Sequence, residues 1–137
     1  MNAGMTVTYQ GQLRNLAMHL RSGNTLITDA PTDNHGKGDA FSPTDLLCTS
    51  LASCMITLMG ITAESKGIVL ERVEAHIEKV MYSDPRRVGE IHIRIDIGSN
   101  GYTDREKAIL ENAAMTCPVA KSLHPDIKQV IDFYYQM

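Results

Sequence analysis

SPTDLLCTSLASCMITLMGITAESKG, the stretch from residue 42 to residue 67, carries the start and stop signals of one long helix. Ser42 is a typical N-cap residue, Pro43 suits the first helical position, and Asp45 stands where a capping box requires an acid. Gly67 can adopt the left-handed conformation that ends many helices. The stretch therefore predicts a helix that begins at Pro43 and stops before Gly67.

The predicted helix is apolar or small on almost every face. Its apolar members are Leu46, Leu47, Leu51, Ala52, Cys54, Met55, Ile56, Leu58, Met59 and Ile61. A helix without a polar stripe cannot lie at a surface, so the rest of the protein must cover it. A single α+β layer covers only one side of a helix. The sequence therefore predicts an obligate homodimer in which a second copy covers the other side.

Length and composition exclude several classes of protein. The 137 residues are long enough for a single domain, residues 1–137, with its own core. The 13 basic and 16 acidic residues provide no basic surface, so no nucleic-acid partner is expected. The apolar run Leu46–Ile61 is shorter than the roughly 18–20 residues that cross a bilayer, which favours a core helix over a membrane span. Three cysteines and an N-terminus unlike a signal peptide favour the reducing cytoplasm.

Three β-rich segments before the helix predict an antiparallel meander, because short turn sequences separate them. The segments are Met5–Tyr9, Leu13–Leu20 and Thr25–Thr28, with turns at Gln10–Gln12 and Ser22–Asn24. Residues 29–41 contain prolines and glycines without any periodicity. They predict a loop that is long enough to serve a function.

After the helix, alternating apolar and polar residues predict two more strands, a second helix, a short third helix and a last strand. The predicted elements are strands within Val69–Tyr82 and Glu90–Ile97, a turn at Ser99–Gly101, a helix capped by Thr103 and Glu106 with Ile109, Leu110 and Ala113 inside, a short helix from Pro118, and a strand within Ile127–Tyr135. The order βββ-α-ββ-α-β, with hairpins rather than βαβ units, predicts an α+β fold of largely antiparallel sheet around the long helix.

Two of the three cysteines are candidates for chemistry. Cysteine reacts as the thiolate, so a reactive cysteine needs a feature that lowers its pKa. Cys117 precedes Pro118, which predicts a position at a helix N-terminus, where the dipole favours negative charge. Cys54 lies three turns into an apolar helix, so only a cation from another element could activate it. Cys48 points about 240° away from Cys54 and is expected to be inert.

The pattern of residues alone leaves the role of these cysteines open, because free cysteine is among the most buried residues and usually only packs. The five histidines show no ligand spacing to one another or to the cysteines, so no metal site is expected.

A family resemblance adds to this interpretation. The segments Ser42–Leu47 and Ser50–Cys54, followed 63 residues later by Cys117 within Thr116–Pro118, resemble the OsmC/Ohr family of osmotically induced and organic-hydroperoxide-resistance proteins. The resemblance covers nearly the whole chain, including the order of its elements. It is closest to the small OsmC-like branch, rather than to the best-studied peroxidases.

The resemblance implies an intertwined homodimer with two central helices at its middle and two sites at the subunit interface. It implies a peroxidatic cysteine at Cys54 and a resolving cysteine at Cys117. It also implies an arginine near the start of the second strand that holds the first thiolate. Arg14 is the best match to this arginine, and Arg21 is a weaker one.

The chain departs from the peroxidase pattern at one position. That pattern places a glutamate, paired with the arginine, ten residues before the peroxidatic cysteine, where this chain has Thr44. A hydroxyl cannot replace a carboxylate in an ion pair with arginine. The neighbouring Asp45 could, although one residue along a helix rotates the side chain by about 100°.

The resemblance implies thiol-dependent reduction of organic hydroperoxides, with an external dithiol as reductant, a lipoylated protein in the peroxidase branch, and with no metal or flavin cofactor. Apolar walls that favour an alkyl chain are expected from Leu51, Met55, Leu58 and Met59. The departure at Thr44 favours an alternative, a binding or redox-sensing dimer without turnover. A purely structural role is a third possibility if the cysteines are unreactive.

Overall fold

The order of elements along the chain follows the predicted pattern, with a short 3-10 turn added in the loop before the long helix. The computed structural model describes residues 4–98 and 101–136. The elements are β1 (Met5–Gly11), β2 (Arg14–His19), β3 (Thr25–Asp29), a 3-10 turn (Thr32–Asn34), α1 (Pro43–Lys66), β4 (Val73–Tyr82), β5 (Arg87–Ile97), α2 (Asp104–Ala114), α3 (Pro118–Ser122) and β6 (Lys128–Tyr134). The predicted turn at Ser99 and Asn100 lies outside the described residues. The chain divides into two compact units, Met1–Leu47 and Cys48–Met137.

The first unit contains the predicted meander, a sheet in which β2 lies between β1 and β3 and pairs antiparallel with both. The turn from β1 to β2 places Gln12 and Leu13 at φ values of 54° and 64°, in the left-handed region. Positive φ at both central residues is typical of the hairpin turn whose twist matches that of antiparallel strands. Glycine or asparagine usually occupies these positions, so the turn is strained.

Strand β1 presents a row of apolar side chains that the first unit leaves uncovered. Met5, Val7 and Tyr9 alternate along the strand, so all three project from the same face of the sheet. Their exposures of 75%, 69% and 63% are unusual for a row of large apolar residues. The first unit therefore does not bury this face of its own sheet.

The start of α1 is the predicted capping box, and it lies in the first unit. The backbone N–H of Asp45 donates to Oγ of Ser42 over 3.0 Å. The backbone N–H of Ser42 in turn donates to Oδ2 of Asp45 over 2.9 Å. These two bonds satisfy donors that a helix start otherwise leaves unpaired. Pro43 occupies the first helical position, as predicted.

In the second unit, α1 ends at Gly67, also as predicted. Gly67 has a φ of +67°, and the N–H of Ile68 donates to the carbonyl of Ala63 over 2.8 Å. This 6→1 bond and the glycine define a Schellman motif, which satisfies carbonyls at the helix end. Both ends of α1 are therefore set by local residues rather than by packing.

One face of α1 is buried within the chain, and others are not. The buried residues are Cys48, Leu51, Ala52, Met55, Met59 and Ala63, at the spacing of three and four that defines one helix face. Ile61 on another face remains 58% exposed. The chain therefore covers its apolar helix only in part. By length and composition α1 could also cross a membrane, but core helices pass the same test.

The second sheet has the order β4-β5-β6 and contains one parallel pair. Strands β4 and β5 form the predicted antiparallel hairpin, whereas β6 pairs parallel with β5. The sequence pattern predicted hairpins without βαβ units, so this connection differs from the prediction. Its physical reason is the crossover through α2 and α3, which returns the chain to the end of the sheet where β5 began. The sheets are largely antiparallel, as predicted, because three of the four strand pairings among residues 4–98 and 101–136 run that way.

The core of the second unit lies on one face of this sheet. The isoleucines of β5 alternate with polar residues, and Ile91, Ile93, Ile95 and Ile97 are at most 1% exposed. Helix α2 contributes Leu110, which the sequence predicted, and Ala114, one residue beyond the predicted Ala113. The predicted capping box of Thr103 and Glu106 is confirmed at the start of α2. This core holds α1 and the start of α3 against the same sheet face.

Candidate active site

The thiols of Cys54 and Cys117 lie in the second unit, close enough that the Cys54 thiol raises the pKa of the Cys117 thiol. Cys54 stands on α1 and is partly exposed, whereas Cys117 caps α3 and has no exposed surface. The thiol of Cys117 accepts from the N–H of Ala120 over 3.5 Å and lies 3.9 Å from the carbonyl of Leu51. The structure therefore brings together the two cysteines that the sequence singled out.

Burial raises the pKa of the Cys117 thiol above its usual value, and the hydrogen bond to the Cys54 thiol raises it further. The N–H groups of Ala120 and Val119 lower this pKa, but burial outweighs them. The sequence predicted a lowered pKa at this helix N-terminus, and that prediction is wrong for two physical reasons. Helix α3 has only 5 residues, so its dipole is small, and the thiol is desolvated.

Cys48 lies apart from this thiol pair. Its side chain is 1% exposed and belongs to the apolar core of the second unit. It stands on the buried face of α1, whereas Cys54 stands on a partly exposed one, as their angular separation around the helix predicted. An inert packing role for Cys48 stays a prediction.

In the first unit, Arg14 and Asp29 form a two-bond ion pair across neighbouring strands. Nε of Arg14 donates to Oδ1 of Asp29 over 2.7 Å, and Nη2 donates to Oδ2 over 2.8 Å. The register of β2 and β3 places these two residues directly opposite each other. Their hydrogen bonds raise the pKa of Arg14 and lower that of the Asp29 carboxyl. Both groups are therefore held in their charged forms.

The sequence pattern did not single out Asp29 and offered Asp45 as the carboxylate for the arginine. The carboxylate bound to Arg14 is Asp29, while Asp45 accepts from the N–H of Ser42 in the capping box. Thr44 is within hydrogen-bond distance of the same cap, 3.2 Å from the Ser42 hydroxyl. The sequence does show an acid at the end of β3, Asp29. Only the register of β2 and β3 reveals that its partner is Arg14.

Activation of Cys54 by Arg14 stays a prediction. Arg14 lies in the first unit and Cys54 in the second. The weaker match, Arg21, is an exposed residue of the segment between β2 and β3. Its role as the alternative activating arginine also stays a prediction.

The apolar walls expected for a substrate are mostly core residues. Leu51, Met55 and Met59 have no exposed surface, and they pack into the core of the second unit. Only Leu58 is partly exposed. The role of Leu51, Met55, Leu58 and Met59 as walls for an alkyl chain stays a prediction. Within residues 4–98 and 101–136, no three His, Cys, Asp or Glu side chains are grouped so that they could hold a metal ion.

The α+β fold and the adjacent thiols of Cys54 and Cys117 define a protein with a paired-cysteine site. Residues 36–131 match the family model described as OsmC-like protein, and the chain belongs to this family. The predicted resemblance is therefore confirmed. A search of curated proteins found no significant match to the chain.

Solved structures extend the comparison over the whole chain. A protein of Psychrobacter arcticus 273-4, provisionally described as an osmotic stress induced and detoxification response protein, is 53% identical, with a TM-score of 0.92 and coverage of 98% of this chain and 97% of that one. The organic hydroperoxide resistance protein OsmC of Legionella pneumophila is 18% identical, with a TM-score of 0.72 and coverage of 98% and 97%. An OsmC-like protein of Mycoplasma pneumoniae is 16% identical, with a TM-score of 0.81 and coverage of 100% and 99%. The last two comparisons support the fold alone.

Proposed function

We propose that the protein is a thiol-dependent peroxidase that reduces organic hydroperoxides through Cys54 and Cys117. The observation that carries this proposal is the contact between the two thiols, one partly exposed and one buried. Two cysteines that only pack in a core do not require either sulfur to be exposed to solvent. A redox pair does, because a substrate must reach the first thiol while the second waits beside it.

The reaction proceeds in three balanced steps. The Cys54 thiolate attacks the outer oxygen of the hydroperoxide, the O–O bond breaks, and the leaving alkoxide takes a proton to become an alcohol. The resulting sulfenic acid of Cys54 condenses with the Cys117 thiol, which forms a disulfide and releases water. An external dithiol then reduces this disulfide, becomes oxidised itself, and restores both thiols.

The exposure of the two cysteines supports this order of roles. The peroxide must reach the first sulfur, and Cys117 has no exposed surface, whereas Cys54 does. The reductant must also reach an exposed sulfur. It therefore attacks the Cys54 sulfur of the disulfide and releases Cys117. A protein-bound dithiol such as a lipoyl group on a long arm has the reach that this attack requires.

Organic hydroperoxides are the proposed substrates because of how structural relatives in the family are described. Structural relatives from Legionella pneumophila and Elizabethkingia anophelis are described as organic hydroperoxide resistance proteins. The 53% identical relative is associated with osmotic stress and detoxification. We extend this association to the present chain and place its activity in the reducing cytoplasm, where free thiols persist.

A homodimer is the proposed active form. Ile61 on α1 is 58% exposed within the chain, and the apolar row of Met5, Val7 and Tyr9 is uncovered by the first unit. Large apolar surfaces of this kind are typical of a subunit interface. A second copy of the chain would remove them from water.

Intact mass spectrometry tests the proposed activity. Reduced protein is treated with one equivalent of cumene hydroperoxide, or of hydrogen peroxide in a parallel sample. The expected product is a protein that has lost two hydrogens, formed faster with the organic peroxide, together with one equivalent of alcohol. Unchanged thiols after both treatments would exclude turnover and favour the alternative, a binding protein without catalysis. Thr44, in place of the family glutamate, is the feature that supports that alternative.

A further inference from the structure

Strand β6 carries a polar residue, Gln129, on the face that packs against the core of the second unit. Ile131 and Phe133 pack against this core, and Gln129 lies two positions before Ile131, on the same face of the strand. The parallel register places Gln129 opposite Ile91, which has no exposed surface. An amide that is partly removed from water needs a hydrogen-bond partner, because an unpaired one is costly. The position of Gln129 therefore calls for an explanation.

The partner of Gln129 is a backbone carbonyl of α3. Nε2 of Gln129 donates to the carbonyl of Ala120 over 3.3 Å. Helix α3 has only 5 residues, and a helix leaves the carbonyls of its last turn without an N–H partner of its own. The side chain of Gln129 supplies such a partner from the neighbouring strand. It therefore ties α3 to the sheet at Ala120.

The residue that Gln129 holds also contacts the thiol of Cys117. The N–H of Ala120 donates to Sγ of Cys117 over 3.5 Å. The same sulfur lies 3.9 Å from the carbonyl of Leu51, which stands three residues before Cys54 on α1. All five residues belong to the second unit. The sulfur of Cys117 is therefore held between α3 and α1, and Gln129 fixes the α3 side of this arrangement through Ala120.

We propose that Gln129 is a positioning residue that keeps the Cys117 sulfur where it can form a disulfide with Cys54. This inference rests on the proposed function, which joins these two cysteines in a redox pair. A disulfide requires its sulfurs to approach to about 2 Å within a narrow range of dihedral angles. A small displacement of α3 therefore makes the bond less favourable, and Gln129 opposes that displacement by its bond to Ala120.

Two roles for Gln129 predict different effects on the reduction potential of the cysteine pair. If Gln129 only stabilised the fold, its loss would weaken the dithiol and disulfide forms alike, and the potential would not change. If Gln129 positions Cys117, its loss lowers the effective concentration of the two thiols relative to each other. The disulfide then becomes easier to reduce, and the potential becomes less negative. The potential therefore distinguishes positioning from a contribution to stability alone.

The experiment measures the equilibrium between the dithiol and disulfide forms in buffers of reduced and oxidised glutathione. As the disulfide forms, one molecule of oxidised glutathione takes up the two hydrogens and becomes two molecules of the thiol. Samples are quenched with acid, alkylated in denaturant and analysed by intact mass. Every protein carries Cys48→Ala, so that Cys54 and Cys117 are its only thiols.

The variant Gln129→Met removes the donor to Ala120 and keeps the length of the side chain. Ser122→Ala is the matched control, because it removes a different side-chain bond to α3, from the Ser122 hydroxyl to the Pro118 carbonyl over 2.8 Å. We expect Gln129→Met to lower the equilibrium constant for disulfide formation about tenfold, which raises the potential by about 30 mV. The potential of Ser122→Ala should equal that of the parent protein.

Three results would overturn the inference. They are an unchanged potential in Gln129→Met, an equal shift in Ser122→Ala, and a parent protein that forms no disulfide at any ratio of the two glutathione forms. Circular dichroism verifies the fold of each variant. If Gln129→Met does not fold, Gln129→Glu takes its place. It keeps the shape of the side chain and exchanges the donor for an acceptor, so a raised potential supports positioning and an unchanged one contradicts it.

The measurement uses no peroxide, so its outcome is separate from peroxidase turnover. A cysteine pair that responds to glutathione and to Gln129→Met, but not to cumene hydroperoxide, would refute the peroxidase and support the role of Gln129. Turnover of cumene hydroperoxide together with an unchanged potential in Gln129→Met would support the peroxidase and refute the role of Gln129.

Discussion

At the residue scale, the thiols of Cys54 and Cys117 differ in their exposure to solvent as well as in their sequence context. Cys117 follows Thr116 and precedes Pro118, a context that favours a low pKa, yet its burial raises the pKa instead. Cys54 has the less favourable helical context and the greater exposure. The accessible sulfur is therefore the one expected to react first, and the buried sulfur the one expected to resolve.

Single variants test this assignment. With stoichiometric organic hydroperoxide, Cys117→Ser should consume one equivalent and stop with a sulfenic or over-oxidised Cys54, because no second thiol is present to condense. Cys54→Ser should consume almost none. Cys48→Ala is the control and should form the disulfide normally. Consumption by Cys54→Ser together with its loss in Cys117→Ser would exchange the two roles.

The raised pKa of Cys117 predicts a pH-dependent second step. Condensation with the sulfenic acid requires the thiolate, and a raised pKa keeps Cys117 protonated at neutral pH. Below that pKa, the thiolate fraction grows about tenfold for each unit of pH, so disulfide formation should accelerate as the pH rises from about 6 to about 8. Rapid-quench mass spectrometry after one equivalent of peroxide measures it. A rate independent of pH in this range would contradict a protonated resolving thiol.

At the element scale, residues at the two ends of α1 set where the helix begins and where it stops. Ser42 and Asp45 close the N-terminal capping box, and Gly67 supplies the left-handed residue at the other end. The same box limits what Asp45 contributes elsewhere, because its Oδ2 accepts from the Ser42 N–H. The carboxylate of the arginine pair comes instead from Asp29, at the end of β3.

Removal of the cap should destabilise the protein measurably. Ser42→Ala loses the bond from the Asp45 N–H to Oγ of Ser42, and the free energy of unfolding should fall by about 1 kcal/mol. Ser65→Ala, in the exposed last turn of α1, is the matched control and should change stability by less than about 0.5 kcal/mol. Urea unfolding followed by circular dichroism measures both. Equal stability of the two variants would mean that the box does not hold the helix start.

At the scale of the whole molecule, large apolar side chains remain in contact with solvent in both units. In the first unit they form the row on β1, and in the second they include Ile61 on α1. The chain has two Phe and no Trp, so it has few large side chains of its own to cover such surfaces. A second copy of the chain is the partner that we propose for them.

Light scattering should give the mass of a dimer at micromolar concentration. Ile61→Glu should shift the protein toward monomer, because a charge placed in an apolar interface is costly to desolvate. Glu64→Gln, a change at an exposed polar position one turn further along α1, is the control and should leave the mass unchanged. A stable, folded monomer of the unmodified chain would refute the dimer.

The sequence by itself determined the features that depend on neighbouring residues. These are the bounds of α1, both capping boxes, the alternation of β5 and the meander of the first three strands. Each rests on hydrogen bonds or side-chain periodicities within a few positions, so local chemistry is sufficient to specify it. The choice of Cys54 and Cys117 as a pair came from the family resemblance, since their separation of 63 residues carries no local signal.

Only the tertiary structure decided which distant residues meet. Strand β6 lies parallel to β5, because α2 and α3 carry the chain back before it pairs. Arg14 meets Asp29, because the register of β2 and β3 places them opposite each other. The pKa of Cys117 rises, because the fold buries a thiol that its own helix would have made more acidic. Pairing, register and desolvation each depend on atoms far apart in the chain, and local sequence therefore could not reveal them.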